Sequence, residues 1–168
     1  MVSDVYGAAA AFAGQRFDIV YTGIGALVWQ PDVPRWARVV ASLLAPGGFL
    51  YLVEGHPVAG VLEEDSSWLV VARDYFDVGP EVTDYLYSYT DGPPLEHVRS
   101  VQFQHGLGEI VSALAAAGLR IEFLHEFEFD AFARFGSLEG RDDGTYRLPA
   151  GRPWVPMIFS LRASAGVR

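Results

Sequence analysis

The 168-residue sequence predicts one α/β domain whose sheet begins with parallel strands and ends with an antiparallel pair, with a hairpin inserted between them. Three observations predict it. Phe17-Asp18-Ile19-Val20-Tyr21-Thr22 and residues 49–53 are short β-branched and aromatic runs, separated by a helical repeat. Residues 58–95 are aromatic-rich and broken by Gly79-Pro80 and Asp91-Gly92-Pro93-Pro94. Residues 119–127 and 154–161 read as two closing strands.

Each element follows from its residues. Ala8, Ala9 and Ala10 with Phe12 make a short helix over residues 5–12, and Asp4 stands where a cap belongs. The run at residues 17–22 stops at Gly23, and its dense apolar content predicts cover on both faces. Asp32 caps the next helix with Pro34 in its first turn, and Trp36, Val39, Val40, Leu43 and Leu44 line its buried face. Ala45-Pro46-Gly47-Gly48 ends it, and residues 49–53 form the second strand, closed by Glu54-Gly55-His56-Pro57. Strand, helix and strand make a βαβ unit, which places the two strands in parallel. Residues 68–75 and 82–90 read as a hairpin or a lid-like insertion, and residues 98–103 as a further strand. Leu107, Ile110, Val111 and Leu114 mark a helix, with Gly118 just beyond its end. Pro156 predicts an edge or bulge position for the last strand.

Composition excludes several classes. Apolar residues make up 51% and aromatics 14%, enough for a sizeable core and too many for a disordered chain. Twelve Lys+Arg against 21 Asp+Glu give a net charge of −9, which speaks against a nucleic-acid partner. With no cysteine there is no disulfide, thiolate metal site or cysteine nucleophile. No apolar run reaches the length of a membrane span, and Asp4 stands where a signal peptide would be positive. A cytoplasmic domain is the expectation, with no membrane partner and no metal. A hydrolase reading finds no Gly-x-Ser-x-Gly elbow.

The order Ser3-Asp4-Val5, Phe17-Asp18-Ile19-Val20-Tyr21-Thr22, then Leu44-Ala45-Pro46-Gly47-Gly48-Phe49 resembles the second half of a class I S-adenosylmethionine-dependent methyltransferase. Leu107-Gly108-Glu109-Ile110 through Leu119-Arg120-Ile121-Glu122-Phe123 is similar to bacterial small-molecule members of that class. The resemblance implies a partial Rossmann-like sheet, S-adenosylmethionine as cofactor and a small-molecule substrate. The Gly-rich loop and the ribose-binding acid of such enzymes have no counterpart in these 168 residues. Gly23-Ile24-Gly25 lacks the third glycine of a G-x-G-x-x-G loop, since Val28 stands there.

Cofactor contacts implied by the resemblance fall on Asp4, Val5, Tyr21, Thr22, Gly23 and Trp29. Asp4 would accept from the adenine amino group, or serve only as a helix cap. Tyr21, Thr22 and Gly23 would close a strand at the carboxyl edge, where ligands of open α/β sheets bind, or simply turn the chain. Trp29 would stack on a ligand or fill the core. His56 and His105 are the candidate catalytic bases. Their alternatives are a solvent-facing turn for His56 and a capping or packing role for His105. His97 and His125 read as structural, and Glu63-Glu64-Asp65 as a solvated loop. Tyr85-Leu86-Tyr87-Ser88-Tyr89 lines a pocket or packs as a hairpin arm.

In a methyltransferase sheet the strand at residues 17–22 is central. Without the strand beside it, an apolar edge stands open, and such edges recruit another chain. Self-association, or a partner covering that edge, is expected. Two readings follow: the C-terminal portion of a methyltransferase, inactive alone, or a noncatalytic binding or oligomerisation module derived from one.

Overall fold

The computed structural model describes residues 2–63, 68–77, 79–87 and 92–166. Glu64 and Asp65 of the acidic run, and Ser88 and Tyr89 of the aromatic run, lie outside the described residues.

Four strands form the main sheet. β1 (Phe17–Thr22) is parallel to β2 (Leu44–Gly55), with α2 (Val33–Leu43) crossing between them. β9 (Ile158–Ser164) lies antiparallel between β2 and β5 (Arg120–Phe127), giving the order β1-β2-β9-β5. The βαβ unit and the antiparallel pairing of the last two long strands match the expectation. The position of β9 does not match it. Every residue of this strand except Arg162 is buried and it pairs on both sides, so it is an interior strand of the sheet, as β2 is, and Pro156 precedes it instead of sitting at an edge or bulge. A central strand needs every ladder amide, which keeps proline outside it.

The helices start and stop where their chemistry dictates. Asp32 accepts the Arg35 amide at 2.7 Å as the cap of α2. α4 (Leu107–Ala116) ends in a Schellman motif: Gly118 N–H donates to Ala115 and Leu119 N–H to Leu114, with Gly118 at φ 85°. The first helix is shorter and less regular than expected. It comprises a 3-10 turn over Val5–Gly7 and then α1 (Ala8–Ala11), because four alanines bury no face that would extend it. Pro46-Gly47-Gly48 has a specific role in β2. Gly47 holds φ 78°, and a Cβ on Gly48 would meet the carbonyl oxygens of Phe17, Ala45 and Asp18 within 3.0 Å.

Alternation decides which side chains form the core. Leu50 and Leu52 of β2, with Phe159, Leu161 and Ala163 of β9, are fully buried against Trp36, Ala37 and Val40 of α2 and Ile110 and Leu114 of α4. The other face carries Ile19 and Tyr21 of β1, Phe49 and Tyr51 of β2, and Phe123 of β5. Ile19 is 57% and Tyr21 65% exposed, which corrects the expectation that both faces of β1 are covered. Tyr21 stacks on Tyr51 at 6.3 Å, and Tyr51 meets Phe123 edge-on at 6.4 Å. This row holds itself together by aromatic contact while facing outward.

The inserted hairpin exists with different arms. β3 (Pro80–Asp84) pairs antiparallel with β4 (Arg99–Phe103), so the strand expected at residues 98–103 belongs to the insertion and not to the main sheet. Among the described residues, residues 68–77 form one isolated bridge, Leu62 to Val71. α3 (Pro57–Gly60) leads from β2 into this region. A small third sheet of β6 (Phe129–Asp130), β7 (Glu139–Gly140) and β8 (Tyr146–Arg147) fills the turn-rich stretch before β9. Among the described residues no helix is long and apolar enough to cross a membrane.

Burial separates the two faces energetically. Leu161→Ala, at a side chain with no exposure, is expected to cost about 2–5 kcal/mol. Ile19→Ala on the open face is expected to change stability by no more than about 0.5 kcal/mol. Urea unfolding of both variants checks the difference.

Candidate functional site

β2 alternates Leu50, Leu52 and Glu54 on its core-facing side, so the strand carries a carboxylate inward at its last core position. Glu54 is 5% exposed. A buried charge is tolerated only when hydrogen-bonded, and here four backbone amides supply the bonds. Gly25 and Gly55 donate to Oε1, and Ala26 and Leu27 donate to Oε2, all within 3.0 Å. The carboxylate thereby stands in for the missing side-chain cap of the 3-10 turn Leu27–Trp29 and fixes the chain between β1 and that turn.

Beside Glu54 opens a cavity of about 320 Å³ at the carboxyl ends of β1 and β2. Its floor is Ile24, Gly25, Leu27, Glu54 and Gly55; the insertion supplies Arg73, Glu81, Gln102 and Gln104. His56, His105 and Arg134 complete its polar lining. This edge is where the sequence placed a ligand site, and the cavity brings both candidate histidines together.

Neither histidine is poised as a free base. His56 is 4% exposed, which overturns the solvent-facing reading. Its Nδ1 accepts the Val58 amide at 3.1 Å, capping α3, and its Nε2 lies 2.8 Å from Glu126 Oε1. With Nδ1 an acceptor, the proton resides on Nε2 and is donated to Glu126. Burial pulls this imidazole below its ordinary pKa, against the opposing hydrogen bond and charge of Glu126. His105 Nε2–H donates to the Gln30 carbonyl at 2.8 Å, and its Nδ1 lies 3.1 Å from Glu109 Oε2. It ties the start of α4 to the chain after the 3-10 turn, and Glu109 in the first turn answers the helix's positive end.

The residues expected to touch the cofactor lie elsewhere. Asp4 accepts the Gly7 amide at 2.7 Å and so acts as a cap for Val5–Gly7. Val5 packs against the core beside α2. Tyr21 faces the open side of the sheet, and Thr22 points to the opposite face in register with Leu52. Gly23 leaves room for the Tyr21 ring, which would lie 3.3 Å from a Cβ there. Trp29 is 49% exposed, so it does not fill the core. None of the six is among the residues lining the cavity. His125 stacks on Phe123 at 4.4 Å. Among the described residues no three His, Asp or Glu side chains converge as metal ligands.

Sequence reasoning missed Glu54, Glu126, Arg73 and Arg134. Glu54 had a readable signal: a charged residue in phase with Leu50 and Leu52 must find internal donors. The others come from distant segments with no local pattern.

No protein-family model matches the chain, and no curated protein does. Solved structures do. A putative S-adenosylmethionine-dependent methyltransferase from Listeria monocytogenes is 16% identical, covering 90% of this chain and 62% of its own, with a TM-score of 0.59. An S-adenosylmethionine-dependent methyltransferase from Mesorhizobium loti is 25% identical over 88% of this chain and 62% of its own, with a TM-score of 0.58. The glycopeptide N-methyltransferase MtfA, complexed with S-adenosyl-L-methionine, is 16% identical over 98% of this chain and 63% of its own, with a TM-score of 0.52. The chain therefore has a class I S-adenosylmethionine-dependent methyltransferase-like fold, a partial Rossmann-like sheet. It spans about 62% of the length of the first two of these structures.

Two outcomes are expected. Glu54→Gln turns an amide NH2 toward backbone donors and should cost about 1–3 kcal/mol in urea unfolding. Hydrogen exchange at Gly25, Ala26 and Leu27 should accelerate. For His56, a lowered folded pKa means that the unfolded chain binds the proton more readily, so its contribution to stability is present above pH 6.5 and is lost as pH falls through the lowered value. His56→Asn keeps an acceptor for Val58, and its unfolding midpoint should fall less between neutral and mildly acidic pH than that of the parent chain.

Proposed function

We propose that the chain is the C-terminal, substrate-facing portion of a cytoplasmic S-adenosylmethionine-dependent methyltransferase that acts on a small molecule, and that it is inactive alone. The observation that carries this reading is the cavity at the carboxyl ends of β1 and β2, in a chain of methyltransferase-like fold. Open α/β sheets bind ligands at that edge. A volume of about 320 Å³ sits at the lower end of small-molecule pockets.

The residues present do not fit the whole cofactor. The amides of Gly25, Ala26 and Leu27 are all turned to Glu54 and not to a bound anionic group. The Asp4 carboxylate is engaged as a cap, away from the cavity. The part these residues take is to bind and align a methyl acceptor, and alignment alone supplies much of the rate of such a transfer. A base is not required of His56 or His105, whose ring nitrogens already face internal partners.

The open side of β1 supports the need for a second polypeptide surface. Among the described residues β1 is the last strand on its side of the sheet, and the adjoining face exposes Ile19 and Tyr21. An edge of this kind is covered by another copy or by a partner that adds a strand.

Calorimetric titration with S-adenosylhomocysteine, paired with sedimentation, tests the reading. No binding at millimolar ligand is expected for the chain alone, and micromolar binding on co-expression with a polypeptide that carries the Gly-rich loop. Micromolar binding by a sedimenting monomer would overturn the incomplete-site reading. Absence of binding in the co-expressed complex would favour the noncatalytic module.

A further inference from the structure

The charged groups lining the cavity already have partners. Glu54 accepts four backbone amides, and His56 and His105 each turn both ring nitrogens to other groups of the chain. Arg73 donates to the Gly60 carbonyl at 3.4 Å and lies 3.5 Å from Glu81. The Arg134 guanidinium carbon stands 5.2 Å from the Phe135 ring centroid, and its charge acts on the buried Asp130 carboxyl. The Gln104 side chain is engaged as well, donating to the Tyr75 carbonyl at 3.3 Å.

Gln102 stands apart. It is half-buried, faces Glu81 across the register of β3 and β4, and lines the cavity with it. Among the described residues its side-chain amide has no hydrogen-bond partner. An amide carries two N–H donors and an acceptor oxygen, and each is costly to leave unmatched once water is excluded. Around it the lining is apolar: Ile24, Leu27, Val28, Phe103 and Ile110. An ion entering this space meets like charge whichever its sign. An anion approaches the carboxylates of Glu54 and Glu81, and a cation the guanidiniums of Arg73 and Arg134. Neither finds an unpartnered counter-charge, and an ion taken out of water without one is strongly disfavoured.

Resting on the reading of this cavity as the small-molecule site, we propose that its substrate is uncharged, with an apolar body and one carboxamide or hydroxyl group paired to Gln102. Such a group both donates and accepts, which is what the free amide requires. A carboxamide matches it best, because two amides exchange N–H···O bonds reciprocally. The apolar body lies toward Ile24, Leu27 and Ile110. The internal pairing of the charges is then a specificity device: it removes the counter-ions that a charged competitor would need.

The test is an amide NMR titration of the full chain with benzamide, benzoate and benzylamine, which share a ring and are neutral, anionic and cationic at neutral pH. Benzamide should shift the amides of Gly25, Gly55 and Phe103 saturably at millimolar concentration, and bind about tenfold tighter than either ion. Gln102→Leu should weaken benzamide about three- to tenfold, the range of one neutral hydrogen bond. Gln102→Glu keeps the size and adds a charge, so it should move the preference from benzamide toward benzylamine. A residue that only shaped the hairpin would not reorder the ligands. Ser100→Ala, also on β4 but outside the cavity lining, should leave the order and the affinities unchanged. If Gln102→Leu fails to fold, Gln102→Glu, still polar at that position, decides the question. Either ion binding as tightly as benzamide, no saturable shift from any of the three, or an unchanged order in Gln102→Glu would overturn the proposal. No cofactor analogue is present in this titration, so its failure is separate from failure of the methyltransferase reading, which the S-adenosylhomocysteine titration decides.

Discussion

The carboxylate of Glu54 is the interaction on which the site depends. A charge buried at the end of β2 would be prohibitive alone, and hydrogen bonds to a charged group are worth about 1.5–3 kcal/mol each. Four amides meet it, three of them from the chain that follows β1. The carboxylate therefore pins β1's exit to β2's exit, across the two strands that the βαβ unit makes parallel. The cavity floor is the surface of this junction. Gln30, whose carbonyl holds His105, follows directly from the turn that Glu54 caps, so the start of α4 is referenced to the same carboxylate.

The fold was legible where local chemistry repeats. Asp32 with Pro34 marked the start of α2, and the Trp36–Val40–Leu43 stripe marked its buried face. Gly118 marked the end of α4 because only a left-handed residue closes that turn cheaply. Pairing was less legible. Nothing local in residues 158–164 says that they insert between β2 and β5, because insertion is a property of the assembled sheet. The same holds for the insertion, where aromatic content alone did not show that residues 80–84 would choose residues 99–103 as their partner.

The site was legible by position and less so by residue. The rule that ligands bind at the carboxyl edge located the cavity, and His56 and His105 do line it. Their chemistry could not be read, because it depends on Glu126 and on the Gln30 carbonyl, each 70 or more positions away in sequence. Asp4 shows the opposite case. Its local reading as a cap is realised in the Gly7 hydrogen bond, and capping needs only residues a turn away.

The open face of the sheet and the closed economy of the cavity have one physical origin. The two longer helices, α2 and α4, pack on the side of Leu50, Leu52 and Leu161. Glu54 and both histidines, drawn toward that side, find internal partners. On the other side Tyr21, Tyr51 and Phe123 contact one another and leave Tyr21 and Ile19 largely exposed. Aromatic rows of this kind gain about 0.5–1.5 kcal/mol per ring pair from their own geometry. That is less than the roughly 1.5–3 kcal/mol available for fully burying one such side chain. The burial still open is greatest at β1, where the exposed face meets an edge that no other described strand pairs, and a polypeptide that adds a strand there would gain from both at once.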